Sequence, residues 1–255
     1  MKKVVKVKDI TIGEGMPKIC IPILGETLEE IKEEAELLST FDFDIVEWRA
    51  DFFQFVEDMD CIKLAMEIIE ENLGDKPMIF TLRSLKEGGK REVCEALYFE
   101  INRRVLETKN LDILDIELFH DKDEIESLIN LAHKNGAKVI ISNHDFQQTP
   151  SKDEILSRMN RAAQLGADIV KIAVMANDTE DVITVLDATR ILKEDYLKIP
   201  LIAIAMGKKG MITRFAGEIF GSDITFATAK KTSAPGQLSV EDVKNIVQFI
   251  HKHTI

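Results

Sequence analysis

The feature that most constrains this sequence is an eightfold alternation of short apolar runs with longer amphipathic stretches. The runs are KICIPILG (18–25), DIVEWRAD (44–51), PMIFTLRS (77–84), LDILDIEL (111–118), AKVIISNHD (137–145), ADIVKIAVMA (167–176), PLIAIAMG (200–207) and ITFATAK (224–230). Each is short, rich in β-branched residues and bounded by Gly, Pro, Asn or Asp, which favours a strand over a buried helix. Between them, TLEEIKEEAELLST and DEIESLINLAHKNG repeat apolar residues at three- and four-residue spacing, the period of a helix with one buried face. The second ends on a glycine suited to a helix C-cap. The last helix, SVEDVKNIVQFIHKH, opens on a serine cap with an acidic first turn. Eight such pairs in 255 residues are what a (β/α)8 TIM barrel requires. An open doubly wound sheet competes, but it usually carries a Gly-rich turn after its first strand, and GETLEE offers none. The expectation is an α/β chain with one barrel domain over 1–255. Within residues 1–17, VVKVKDITIGEG is expected to form a β-hairpin closing the barrel floor.

Composition narrows the partners. Hydrophobic residues make up 45% and charged residues 31%, the profile of a soluble globular protein. No apolar run approaches a membrane span, and MKKVVKVKDI lacks the apolar block of a signal peptide. A net charge of −12 argues against nucleic acid and anionic membranes, though converging arginines still suit a small anionic substrate. Cys20, Cys61 and Cys94 have neither metal nor disulfide spacing and read as buried or half-buried thiols of a reducing cytoplasm.

Strand alternation then exposes residues of the wrong chemistry. In ADIVKIAVMA, Val170, Ile172 and Val174 share the face that packs on helices, so Lys171 points with Ile169 and Ala173 into the barrel. A lysine there is either a structural ion pair or a reactive amine, since desolvation lowers a lysine pKa toward the ~7–8 that suits a nucleophile at neutral pH. Glu47, Arg49 and Asp51 share one face of their run, Thr81 and Arg83 lie together, Asp115 and Glu117 fall on one side, and His144 ends its run. Any one of these is a common structural polar group. Together they crowd the C-terminal halves of the strands, where barrel active sites are built.

His144 is the acid–base candidate. His120, His133, His251 and His253 lie on helices or loops and are expected to be solvated. No metal is expected, because no His pair lies on the strands and the arginines would repel a cation. MGKKGMITRFAG and the loop TSAPGQ follow the seventh and eighth runs, the usual anion-binding region of a barrel, although no P-loop pattern fits.

The ordered motifs EWRAD (47–51), TLRS with EGG (81–84 and 87–89), DIEL (115–118), SNHDF (142–146), VKIA (170–173), MGKKG with RFAGEIFGS (206–210 and 214–222) and SAPGQ (233–237) span nearly the whole chain. In that order they resemble the type I 3-dehydroquinate dehydratases of the shikimate pathway. The resemblance implies a cofactor-free lyase in which Lys171 forms a Schiff base with the C3 ketone of 3-dehydroquinate. His144 would act as general base and acid and Glu87 would orient it. Arg214 would bind the substrate carboxylate, while Glu47, Arg49, Arg83, Ser233 and Gln237 would contact hydroxyls or shape the pocket and Met206 would line it. Residues 232–239 would form a loop closing over substrate, and the chain would be a homodimer. Ile204 stands where a second methionine is common, an apolar exchange of little consequence.

A class I aldolase-type barrel also uses a strand lysine, but its commonly phosphorylated substrates call for a Gly-rich phosphate site. A non-catalytic barrel binding an anionic metabolite would leave Lys171 an unexplained cost.

Overall fold

The computed structural model describes residues 3–230 and 233–254. Strands β1 (Val5–Val7) and β2 (Ile10–Ile12) pair antiparallel as the expected hairpin, turning at Lys8 with φ 48°. Residues 1 and 2 of the expected 1–17 segment lie outside the described residues. The eight apolar runs become β3 (Lys18–Ile23), β4 (Ile45–Arg49), β5 (Met78–Thr81), β6 (Ile113–Glu117), β7 (Lys138–Asp145), β8 (Ile169–Met175), β9 (Leu201–Met206) and β10 (Ile224–Phe226). They form one parallel sheet in the order β10-β3-β4-β5-β6-β7-β8-β9. The pairing of β10 with β3 wraps the first strand onto the last, which an open doubly wound sheet does not do.

Helices α1 (Leu28–Leu38), α2 (Met59–Leu73), α3 (Glu95–Glu107), α4 (Lys122–Lys134), α5 (Lys152–Gln164), α6 (Thr179–Ile191), the single-turn α7 (Gly217–Phe220) and α8 (Val240–Thr254) alternate with the strands. Their starts are chemically fixed: the side chains of Thr27, Asp58, Asp121, Ser151 and Asp178 each accept a first-turn backbone N–H. Ser239 does the same for Asp242 at the head of α8. Among the described residues no helix is long and apolar enough to cross a membrane.

The cylinder is nearly closed, and its one seam lies between β9 and β10. There a backbone bond from Asp223 N–H to Leu201 O at 2.7 Å is supplemented by side chains. Leu201 N–H donates to Asp223 Oδ2 at 2.8 Å, Ala203 N–H to Ser222 Oγ at 3.1 Å, and Ala205 N–H to Thr213 Oγ1 at 3.0 Å. Buried edge donors are thereby satisfied without a strand partner.

Inside, each strand contributes one apolar residue to a lower layer: Cys20, Ile45, Ile79, Ile113, Ile140, Ile169, Ile202 and Ile224, none more than 1% exposed. Val5, Val7 and Ile12 of the hairpin pack against this layer and close the floor. Outward-facing residues such as Trp48, Phe80, Val170 and Ile172 form the separate core under the helices. Cys20 is buried, Cys61 half-buried and Cys94 exposed, so the expectation of three sheltered thiols fails at Cys94, which precedes α3 at the surface.

Candidate active site

One step above the isoleucine layer, period-two alternation puts Glu47, Thr81, Asp115, Ser142 and Lys171 on the inner face of consecutive strands. Lys171 is 4% exposed. Its Nζ donates to Glu47 Oε1 at 3.1 Å and Asp115 Oδ2 at 3.3 Å, and it lies 4.6 Å from the Phe226 ring centroid. Asp115 and Glu117 have no assigned role in the sequence; here Asp115 ties Arg83 to Lys171, and Glu117 holds Arg83. Arg83 donates from Nη2 to Asp115 Oδ1 at 2.9 Å, and from Nη1 to Glu117 Oε1 at 3.1 Å and Ser142 Oγ at 2.9 Å. Burial pushes the Asp115 carboxyl up, but Arg83, Lys171 and the Ser142 hydroxyl together hold it below its ordinary value.

Arg49 ends β4 and makes a two-pronged pair with Asp51, at 2.8 and 2.9 Å. Asp51 also accepts the Lys90 backbone N–H at 2.9 Å, which anchors the turn after β5 over the pocket. In that turn EGG is a geometric requirement. Gly88 has φ 84°, and a Cβ on it would fall 2.3 Å from the Phe146 ring; one on Gly89 would fall 2.0 Å from Arg83 O. The two glycines let the turn press down until Glu87 is buried.

Glu87 meets His144 twice. Its Oε2 accepts the His144 backbone N–H at 2.9 Å and lies 3.0 Å from the ring Nδ1, while Oε1 accepts Asn143 Nδ2–H at 3.0 Å. Burial and the nearby Glu117 charge push the Glu87 carboxyl up to about 8, against the pull of Arg83, the Asn143 amide and the His144 N–H. His144 moves the other way: burial, then the charges of Arg83, Lys171 and Arg49, hold it well below the usual histidine range. Near neutral pH the imidazole is therefore uncharged, with Nδ1 against Glu87.

Arg214, in the 3-10 segment Lys209–Arg214 after β9, is 2% exposed. It donates to the carbonyl oxygens of Phe226 at 3.3 Å and Pro235 at 3.1 Å, and its buried Nε has no partner. No carboxylate among the described residues pairs with it. Burial alone brings its guanidinium down to about 10. A buried, uncompensated cation is costly and calls for an anion. Of the basic residues in MGKKGMITRFAG, only Arg214 reaches the pocket; Lys208 and Lys209 are exposed.

Ser233 and Gln237 clasp each other. Gln237 Nε2 donates to Ser233 Oγ at 2.9 Å, and Ser233 N–H to Gln237 Oε1 at 2.8 Å. Gly236, at φ 77°, lets this loop approach Gly207, whose N–H donates to Pro235 O at 3.1 Å. Thr232 of the expected 232–239 loop lies outside the described residues. The residues to which the resemblance gave roles line one pocket of about 440 Å³ of empty space, part of it open to solvent: Lys171, His144, Glu87, Glu47, Arg49, Arg83, Met206, Arg214, Ser233 and Gln237. Phe146, Ala173, Ile204, Phe226 and Ala234 complete its wall. Among the described residues no group of three His, Cys, Asp or Glu is placed to hold a metal ion.

His120 departs from the solvated state expected of it. Its ring stacks on Tyr98 at 4.2 Å, and its nitrogens lie 3.0 Å from Glu95 and 3.3 Å from Glu117. These carboxylates raise its pKa against the effect of burial. His133 pairs with Asp168 and His251 with Glu218.

A family model for type I 3-dehydroquinase matches residues 19–254. A curated 3-dehydroquinate dehydratase of Bacillus licheniformis is 49% identical over 99% of this chain and 100% of its own. The crystal structure of the type I enzyme from Clostridium difficile, with covalent modified comenic acid, is 43% identical with a TM-score of 0.95, covering 99% of each chain. The 3-dehydroquinate dehydratase of Geobacillus kaustophilus superimposes with a TM-score of 0.96 at 35% identity, covering 100% of each. With its barrel, its buried strand lysine and these relatives over its full length, the chain belongs to the type I 3-dehydroquinase family.

Proposed function

We propose that this hydro-lyase converts 3-dehydroquinate to 3-dehydroshikimate and water through an imine on Lys171. The observation that carries the proposal is the pocket's arrangement: a buried lysine, an uncharged histidine backed by a buried carboxyl, and an arginine that no carboxylate among the described residues pairs with. Arg214 takes the substrate carboxylate, which supplies the partner its buried guanidinium lacks. Glu47 and Asp115 accept hydrogen bonds from Nζ and aim it.

In the neutral form, the Lys171 amine attacks the C3 ketone. The resulting carbinolamine loses its oxygen as water, leaving a protonated imine. That cation withdraws electrons from C2 far better than the ketone does. His144 Nε2 takes the C2 proton, and the C2–H bonding pair becomes the enamine. The enamine then expels the C1 hydroxyl, which leaves as water with the proton returned by His144. Water hydrolyses the product imine and regenerates Lys171, so the sum is substrate to product plus one water.

The clasp of Ser233 and Gln237 lies over the same cavity as Lys171, placed to open and close for substrate entry and hydrolysis. The test is borohydride trapping with 3-dehydroquinate followed by peptide mass spectrometry. The adduct is expected on Lys171 and is lost in Lys171→Ala. An adduct elsewhere, or none, refutes the mechanism.

A further inference from the structure

Outside the pocket, on the helix layer, lies a chain of polar contacts that the chemistry above does not use. Arg158 projects from the middle of α5, which packs against β7 and β8. Its Nη1 donates to Asn143 Oδ1 at 2.9 Å and its Nε to Glu154 Oε1 at 2.7 Å. Its guanidinium carbon sits 5.2 Å from the Phe119 ring centroid, a ring it shares with Arg161 at 5.8 Å. Asn143 is 3% exposed and is the residue before His144 on β7. Its other amide atom, Nδ2, donates to Glu87 Oε1.

The two ends of an asparagine amide have nearly the same shape and opposite hydrogen-bonding character. A guanidinium can only donate. Arg158 therefore holds the oxygen of Asn143 and leaves only the N–H end to face Glu87. A flipped amide would set donor against donor at Arg158 and oxygen against carboxylate at Glu87.

The orientation matters for the base. A Glu87 carboxylate that accepts from Asn143 and from the His144 backbone also accepts from Nδ1–H, which leaves the Nε2 lone pair free. A protonated Glu87, the form favoured below about pH 8, would donate to Nδ1 instead and put the proton on Nε2, so the tautomer able to act as a base gains as pH rises through about 8. We propose that Arg158 is a positioning residue for His144, acting through Asn143 and Glu87 to keep Nε2 unprotonated. This rests on the reading of His144 as the base of an imine mechanism.

Charged groups surround the relay on every side that packs against it. Glu87 faces Arg83 at 3.7 Å, the Glu117 charge and His144. His144 also feels Lys171 and Arg49. Arg158 has Glu154 beside it and Arg161 across Phe119. Among the described residues, only the Asn143 contact links Arg158 to this set.

The test uses the full chain with 3-dehydroquinate. Arg158→Gln is expected to lower kcat about 10–100-fold, the scale of losing a group that orients a reacting side chain. KM and the borohydride adduct on Lys171 stay as in the unmodified chain. The rising limb of the kcat–pH profile moves to higher pH by roughly one unit, because Glu87 loses a hydrogen bond favouring its ionised form. Arg158→Lys, which also only donates, recovers most of the rate. Asn143→Asp keeps a partner for Arg158 but gives Glu87 no N–H, and it loses at least as much as Arg158→Gln. Arg161→Gln removes the same charge over the same ring and leaves kcat unchanged.

An Arg158→Gln chain with unaltered kcat and pH profile overturns the proposal. So does a loss of rate without a pH shift that lysine fails to rescue, the mark of a merely structural arginine. An unmodified chain that gives no adduct on Lys171 overturns the imine reading instead, and the proposal with it.

Discussion

The lower and upper halves of the barrel interior are built from the same strands, two residues apart, and have opposite chemistry. Below, Ile45, Ile79, Ile113, Ile140, Ile169, Ile202 and Ile224 meet with no polar atom among their side chains. Above, Glu47, Thr81, Asp115, Ser142 and Lys171 occupy the next inward positions, with Arg49, Arg83, Glu117 and His144 at the rim. The lower half stabilises the fold through apolar burial, each isoleucine worth about 1.5–3 kcal/mol on transfer. The upper half holds charges away from water, where desolvation consumes much of what pairing returns. Stability and chemistry are thus separated along the barrel axis, and a substitution should disturb one with little effect on the other.

The sharpest way to break that separation is at Lys171. Lys171→Ala should lower turnover by four orders of magnitude or more, roughly the cost of removing a covalent nucleophile, in a chain that still folds. Near-normal turnover, followed by the absorbance of the conjugated product, would refute the division. Arg214→Met should follow, with kcat/KM falling about 100-fold, as expected for a charge-assisted carboxylate contact. Without substrate its melting temperature should hold or rise, because a buried unpaired cation is gone. A fall of several degrees in that substrate-free chain would show that Arg214 is structural.

Ile140→Ala should do the reverse. A loss of about 2–5 kcal/mol in unfolding free energy is expected from the cavity, with kcat per folded molecule within about threefold of normal. Titration of active sites during denaturation would measure both. A larger kcat loss would mean that the apolar layer also sets the geometry above it.

The smallest effect concerns pH. Glu87 is raised in the fold to about 8, so between the ordinary carboxylate value and about 8 the folded chain holds a proton the unfolded chain has released. That contribution to stability is full below the unfolded value and is lost as pH rises through about 8. His144 is depressed, so its contribution is present above the ordinary histidine value and fades as pH falls below it. Denaturant unfolding from pH 5 to 9 should show both slopes, and Glu87→Gln should remove the alkaline one. An unchanged alkaline slope in that variant would mean that another group causes it.

The barrel was legible because its strands are buried on both faces and its helices on one, so the two periods separate cleanly along the chain. Lys171 was legible because alternation leaves no other place for its side chain. Period-two reasoning failed to assign Asp115 and Glu117, because their partners Arg83, Lys171 and His120 come from other elements and only closure of the barrel brings them near. It missed Arg158 and Asn143 for a related reason: they point toward the helix layer, where a polar residue reads as ordinary surface. Nothing local to His120 announces that Tyr98 will lie against it, so the sequence reads it as solvated. The residues named by the motif resemblance lie together in the pocket, but no motif shows that the described residues offer Arg214 no carboxylate.

The side-chain seam between β9 and β10 makes the cylinder a split ring. Such a ring should flex at its gap, where Leu201 and Asp223 exchange backbone and side-chain bonds and Ala203 N–H meets Ser222 Oγ in place of a continued ladder. Arg214 is mounted on one lip, immediately after Thr213, and the Ser233–Gln237 clasp on the other, with hydrogen bonds from Arg214 to Phe226 and Pro235 and from Gly207 to Pro235 spanning the two. A small change in circumference at this point becomes a change in distance between the anion-seeking arginine and the loop opposite it.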